Sequence, residues 1–86
     1  MANIITAQDF LSKARAARAN GRFVESARFA IAAQRTSKRC RAAARGDVAW
    51  AAHNVIAACK MQARSQADRG SVGSILSESK IVGWDF

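Results

Sequence analysis

Small side chains recur at helical spacing along much of this chain, and that pattern limits the fold more than any other feature. Ser26, Ala30, Ala33, Ser37, Cys40 and Ala44 fall on one side of a helix. A seam this small excludes water only when a second helix approaches closely. Alanine-rich runs favour helix, and the chain has no proline to interrupt one. The expected class is all-α. Eighty-six residues make one domain. A chain of that length buries only roughly 60–65% of the surface its unfolded form exposes. Its core is thin, and a partner or association into a homo-oligomer would complete it.

Two glycines divide the first seventy residues into three helical runs. Asn20-Gly21 and Arg45-Gly46 each follow an Ala/Arg-rich stretch, where glycine past a helix end can turn left-handed without a Cβ clash. The spacing predicts helices over 7–19, 22–44 and 48–69, packed as an antiparallel three-helix bundle of two hairpins. Thr6 is the expected N-cap of the first helix, with Asp9 in its first turn, and Asp47 the N-cap of the third. Thr36-Ser37 is a place where the second helix could bend or break. Gly70 closes the third helix and 71–74 reads as a loop, which divides the chain into a bundle over 1–70 and an apolar tail over 71–86. Within the tail, 74–79 suits a short helical turn and 80–84 reads as extended.

The first helix turns Ala7, Phe10, Leu11, Ala14 and Ala17 to the core; the third turns Val48, Ala52, Val55, Cys59 and Ala63 inward. Cys40 and Cys59 match no metal spacing, and each reads as a small buried apolar residue in a reducing compartment.

The segment carrying Phe10, Ala14, Ala17, Gly21, Phe23, Ser26, Ala30 and Ala33 resembles one helix pair of a tetratricopeptide repeat, over about 30 residues. Gly46, Val48, Ala51, Val55 and Ala58 resemble the second helix of another such pair. The chain departs from that family at Ala17 and Ala30, where aromatic residues are usual, and in having no closing proline. The resemblance implies a protein-binding helical scaffold. An unrelated bundle built from the same hairpins shares the pattern.

Function is legible mainly as charge. The formal net charge is +8, which calls for an acidic partner: an acidic protein surface, nucleic acid or an anionic membrane surface. From Lys13 to Arg45 the chain has ten basic residues and a single acid, Glu25. Arg28, Arg35 and Arg39 line the side of the second helix opposite the small seam, with Lys38, Arg41 and Arg45 nearby. Val24 and Ile31 sit beside this stripe: as the middle helix of three, the second helix could bury them against a neighbour, or they are apolar anchors beside the arginines, a mixture favoured at protein interfaces. The expectation is a small adaptor or inhibitor that docks on an acidic protein surface through its Arg-rich face. Such a protein would suit a phage or mobile element as an accessory factor. The alternative is a nucleic-acid-binding protein. Ala17-x-x-x-Gly21 fits the spacing of a helix-turn-helix, but Ala27 stands where that motif wants a larger aliphatic, so phosphate contacts would dominate over base readout.

A second candidate surface comprises Trp50 and Met61, on the outer side of the third helix, with Trp84 and Phe86 of the tail. Exposed side chains of this size call for a cover. The tail would pack back over them, or dock elsewhere through its terminal carboxylate. No catalytic constellation is present. His53 is the single histidine, and neither a glycine-rich phosphate loop nor a Cys/His metal cluster stands in the chain. No cofactor is expected. No apolar run is long enough to span a membrane and the N-terminus lacks the character of a signal peptide, so the expected location is cytoplasmic.

Overall fold

The computed structural model describes residues 3–79. They form four helices: α1 (Ile4–Ala19), α2 (Phe23–Lys38), α3 (Arg45–Gln62) and α4 (Gln66–Glu78). The all-α expectation holds; the three-helix count does not, because the expected third helix is two.

The missed break has a local cause. Ala63 ends α3 in an extended conformation (φ −63°, ψ 130°), and Ser65 begins α4 by accepting a hydrogen bond from the Asp68 backbone N–H at 3.0 Å. Ser65-Gln66-Ala67-Asp68 is thus an N-cap signal with an acid in the first turn, where it meets the positive end of the helix dipole. Beyond it, Gly70 does not close a helix and 71–74 is not a loop. Both lie inside α4, which crosses the expected boundary between residues 70 and 71. Glycine and serine are poor helix formers, but Val72 in this stretch is fully buried against the bundle, and tertiary packing overrides propensity.

The remaining helix ends also follow side-chain chemistry. At the start of α1 the cap is Asn3, not Thr6: Asn3 Oδ1 accepts from the Thr6 N–H at 2.9 Å and from its hydroxyl at 3.1 Å. Asp9 accordingly sits outside the first turn, paired with Lys13 at 3.3 Å. The Asn20-Gly21 turn is as expected. Gly21 has φ +77°, its N–H bonds the Arg18 carbonyl, and the Arg22 N–H bonds the Ala17 carbonyl. This doubly bonded exit satisfies two orphan carbonyls of α1.

The second turn departs from expectation. α2 stops at Lys38 instead of running to 44, at the Thr36-Ser37 site. There the Ser37 hydroxyl bonds the Gln34 carbonyl at 2.8 Å and the Cys40 thiol bonds the Thr36 carbonyl at 3.2 Å. Side chains that bond nearby backbone compete with the helix ladder. Gly46 is therefore not the turn residue, and Asp47 is not a cap; both lie in the first turn of α3.

The small seam packs as expected from Ser26 to Cys40, whereas Ala44, expected to continue it, lies beyond the end of α2 and is only half-buried. Ala7, Ala14, Ala27, Ala30, Ala33 and Ala52 are all fully buried. The buried Ser26 hydroxyl donates to the Ala14 carbonyl, tying α2 to α1. Both cysteines are free and buried, Cys40 beside the turn and Cys59 in the core. α2 and α3 form the central pair. α1 and α4 each pack against both of them but do not touch one another among the described residues, so they flank the pair on opposite sides. The outward faces of α2 and α3 consequently point in opposite directions.

Candidate functional site

Two faces of this arrangement carry the residues singled out above. The first is the outer side of α2. Arg28, Arg35 and Arg39 are exposed along it, as are Lys38 and Arg41 near its C-terminal end. At 1.5 Å of rise per residue, the line from Arg28 to Arg39 extends about 16 Å. Acids are sparse here. Arg35 meets Glu78 of α4 at 3.4 Å, with both side chains largely in solvent, and Arg22 meets Glu25 at 3.6 Å. Exposed pairs of this kind contribute only about 0–1 kcal/mol and leave the face strongly positive. Glu78 was not visible as a neighbour of Arg35, because the helix that carries it was expected to be a loop and a short turn.

Arg45 is a correction. Its guanidinium is drawn back toward the chain, donating from Nη1 to the Cys40 carbonyl at 3.1 Å, so it helps build the α2–α3 turn. Ile31 is another. It is 7% exposed and belongs to the core, because α4 covers that side of α2. Val24 is half-buried against the same core. Neither stands free as an anchor beside the arginines.

A groove runs between α2 and α4 at the edge of the Arg stripe. Arg28 and Arg35 form one rim, Ser71 and Ser74 lie on the other wall, and Ile31 and Ile75 contribute apolar surface. Because its wall is α4, this feature could not be found from a sequence reading that placed a loop at 71–74.

At the end of the groove lies a buried polar cluster. Gln34 on α2 is 2% exposed; its amide donates to the Ser79 hydroxyl at 2.9 Å and to the Ala49 carbonyl at 3.3 Å. His53 Nδ1 lies 2.8 Å from the Ser79 carbonyl oxygen and 2.9 Å from its hydroxyl. A carbonyl can only accept, so this geometry assigns the proton to Nδ1. Three helices thus meet on the C-cap of α4. His53 has this structural partner, and its ring stands edge-on to Trp50, with centroids 6.0 Å apart.

The second face is the outer side of α3. Trp50 is 50% exposed and Met61 83%. Trp84 and Phe86, placed with them in the sequence reading, lie outside the described residues, as does the extended segment over 80–84. Among the described residues no group of three or more His, Cys, Asp or Glu side chains comes together as metal ligands. No helix among them is long and apolar enough to cross a membrane. No protein-family model, curated protein or solved structure matches the chain.

Proposed function

We propose that this chain is a non-enzymatic interaction protein, an adaptor or inhibitor, that docks on an acidic surface of a partner protein through the Arg face of α2 and the α2–α4 groove beside it. The observation that carries the reading is the alignment of Arg28, Arg35 and Arg39 on one exposed helix face, bordering an open groove of mixed polar and apolar lining. Guanidinium groups offer five donors in a fixed fork matched to carboxylates. Half-buried Ile75 in the groove gives an acidic helix or loop a small apolar surface to cover, which arginines alone do not.

Nucleic acid is the second reading, and one observation favours it. With Ile31 in the core and Val24 half-buried, no large apolar side chain stands exposed beside the Arg line, and a purely cationic stripe also suits a phosphate backbone.

The test replaces Arg28, Arg35 and Arg39 together with Gln. Their side chains point away from the core, so the fold should survive, as checked by circular dichroism. The protein reading expects a native partner that is recovered after nuclease treatment and lost with the triple variant. The nucleic-acid reading expects nuclease to abolish recovery. It also expects duplex binding to fall with salt at a log–log slope of about −0.9 per phosphate neutralised, shallower by about three units in the variant. A triple variant that binds its partner as well as the parent does would show that the stripe is only a solvated face.

A further inference from the structure

Arg28 and Arg35 stand seven residues apart on α2 and line the same groove. Seven residues fall within about 20° of two full helical turns, so both side chains leave α2 on one side, at points about 10.5 Å apart along its axis. Their circumstances differ. Arg35 meets Glu78 of α4 across the groove at 3.4 Å, whereas the Arg28 guanidinium enters no ion pair or hydrogen bond among the described residues. The wall that α4 supplies is of another kind. Gln66, Gly70, Ser71, Ser74 and Glu78 line it, with half-buried Ile75 among them: small or neutral groups and one acid, with no base. A Cβ placed on Gly70 would meet nothing within 4 Å, so this wall leaves room for an element as thick as a helix.

Building on the reading that the Arg face binds an acidic protein surface, we infer that the element it takes is an α-helix with carboxylates seven residues apart, laid along the α2–α4 groove, and that Glu78 stands in for one of those carboxylates in the unbound chain. Two acids seven apart on a helix project from one face with the same spacing of about 10.5 Å, so both reach an arginine without distortion. In an extended segment, residues three apart span about 10 Å but point to opposite faces, and only one of them meets the α2 rim. A nucleic-acid strand fits less well. It is charged at every step, and along the α4 wall it would pass an acid with no base to offset it. A helix carries its acids on one side and turns neutral or apolar residues toward Ile75 and the serines.

Glu78 then tunes the strength of binding. Both members of its pair with Arg35 lie largely in solvent, so the carboxylate swings aside at little cost, but an incoming acid still competes with it. Arg28 has no such competitor and is the stronger point of attachment.

Two alanine-rich helical peptides of identical composition are the probes, titrated into the full chain and followed by NMR. Each has two glutamates with one leucine between them. The glutamates are seven residues apart in the matched peptide and nine apart, on opposite faces, in the other. The matched peptide should bind about threefold tighter, the worth of one additional exposed ion pair. Glu78→Gln should strengthen it about threefold again by freeing Arg35. Asp9→Asn removes the same charge from a pair with Lys13 on α1 and should leave binding unchanged. In an Arg35→Gln background, Glu78→Gln should bring no gain. All of these side chains are exposed, so circular dichroism should not change. Equal binding of the two peptides, both lost when Arg28, Arg35 and Arg39 are all replaced with Gln, overturns the helix register and leaves the Arg face standing. Peptides that bind this triple variant as well as the parent overturn the Arg face itself, and the helix with it. A gain from Glu78→Gln that Asp9→Asn matches, or that persists without Arg35, overturns the role of Glu78. A parent that binds a DNA duplex and neither peptide gives the groove to nucleic acid, and a parent that binds none of the three overturns the inference outright.

Discussion

Replacing Gln34 with Met tests how α4 is held. The two side chains have similar length, so the change removes the amide and leaves the volume. The hydrogen bond to the Ser79 hydroxyl at 2.9 Å is lost, and with it the longer one to the Ala49 carbonyl at 3.3 Å. Neither acceptor is left bare. Ala49 lies inside α3, where its carbonyl keeps its place in the helix ladder, and Ser79 keeps His53. The cost is therefore that of one good and one poor buried hydrogen bond, about 1–2 kcal/mol in total. For a domain of this size each kcal/mol lowers the melting temperature by roughly 4–8 °C. Thermal and urea denaturation followed by circular dichroism measure the loss. A cycle with Ser79→Ala then isolates the pair, and a coupling of about 0.5–1.5 kcal/mol is expected for groups sharing a buried bond. Unchanged stability in Gln34→Met, or zero coupling, would refute the argument that Gln34 fastens the end of α4.

Other perturbations have definite signs. Gly70→Ala should stabilise by about 0.5–1 kcal/mol in chemical denaturation: the residue is helical, and a Cβ there meets nothing within 4 Å. Gly21→Ala should destabilise by about 1–2 kcal/mol in the same assay despite equally open space, because its φ of +77° is costly for any residue with a Cβ. Ala30→Leu and Ala33→Leu should each cost about 1–3 kcal/mol by overpacking a fully buried seam; unchanged melting in both would move the seam elsewhere. Ser65→Ala should cost about 1 kcal/mol through loss of the α4 cap, visible as a lowered urea midpoint with the same slope.

What could be read before the structure was the part governed by periodicity. The seam from Ser26 to Cys40 is buried, and the core sides of α1 and α3 lie where helical spacing puts them, with Phe10 half-buried at the edge. Gly21 could be placed because one residue type answers one backbone demand. Gly46 could not, because a second glycine after an Ala/Arg run looks identical in one dimension. Its turn is instead made by Thr36, Ser37 and Cys40 side chains bonding nearby carbonyls. The division of the expected third helix hung on Ser65 and Asp68, a capping signal overshadowed by the helix-favouring residues around it. That miss carried over to the candidate site. With α4 absent, nothing decided whether Ile31 was buried or an anchor, the groove had only one wall, and Arg35 had no Glu78. The partition of arginines between surface and turn was also hidden, since nothing in the spacing sets Arg45 apart from Arg41.

The separation of α1 from α4 bears on how the molecule opens. A flanking helix that touches only the central pair can leave without disturbing its counterpart, so the two edges are independent units of local unfolding. α4 contributes one buried apolar side chain, Val72, whereas α1 contributes Ala7, Leu11, Ala14 and Ala17. Amide hydrogens of α4 should therefore exchange through a partial opening of lower free energy than the one that exposes α1–α3. In that partly opened form Ile31 and Gln34 are uncovered while the Arg line on α2 stays in register. The groove beside that line is then a property of the closed population alone, and whatever occupies it draws the ensemble toward closure.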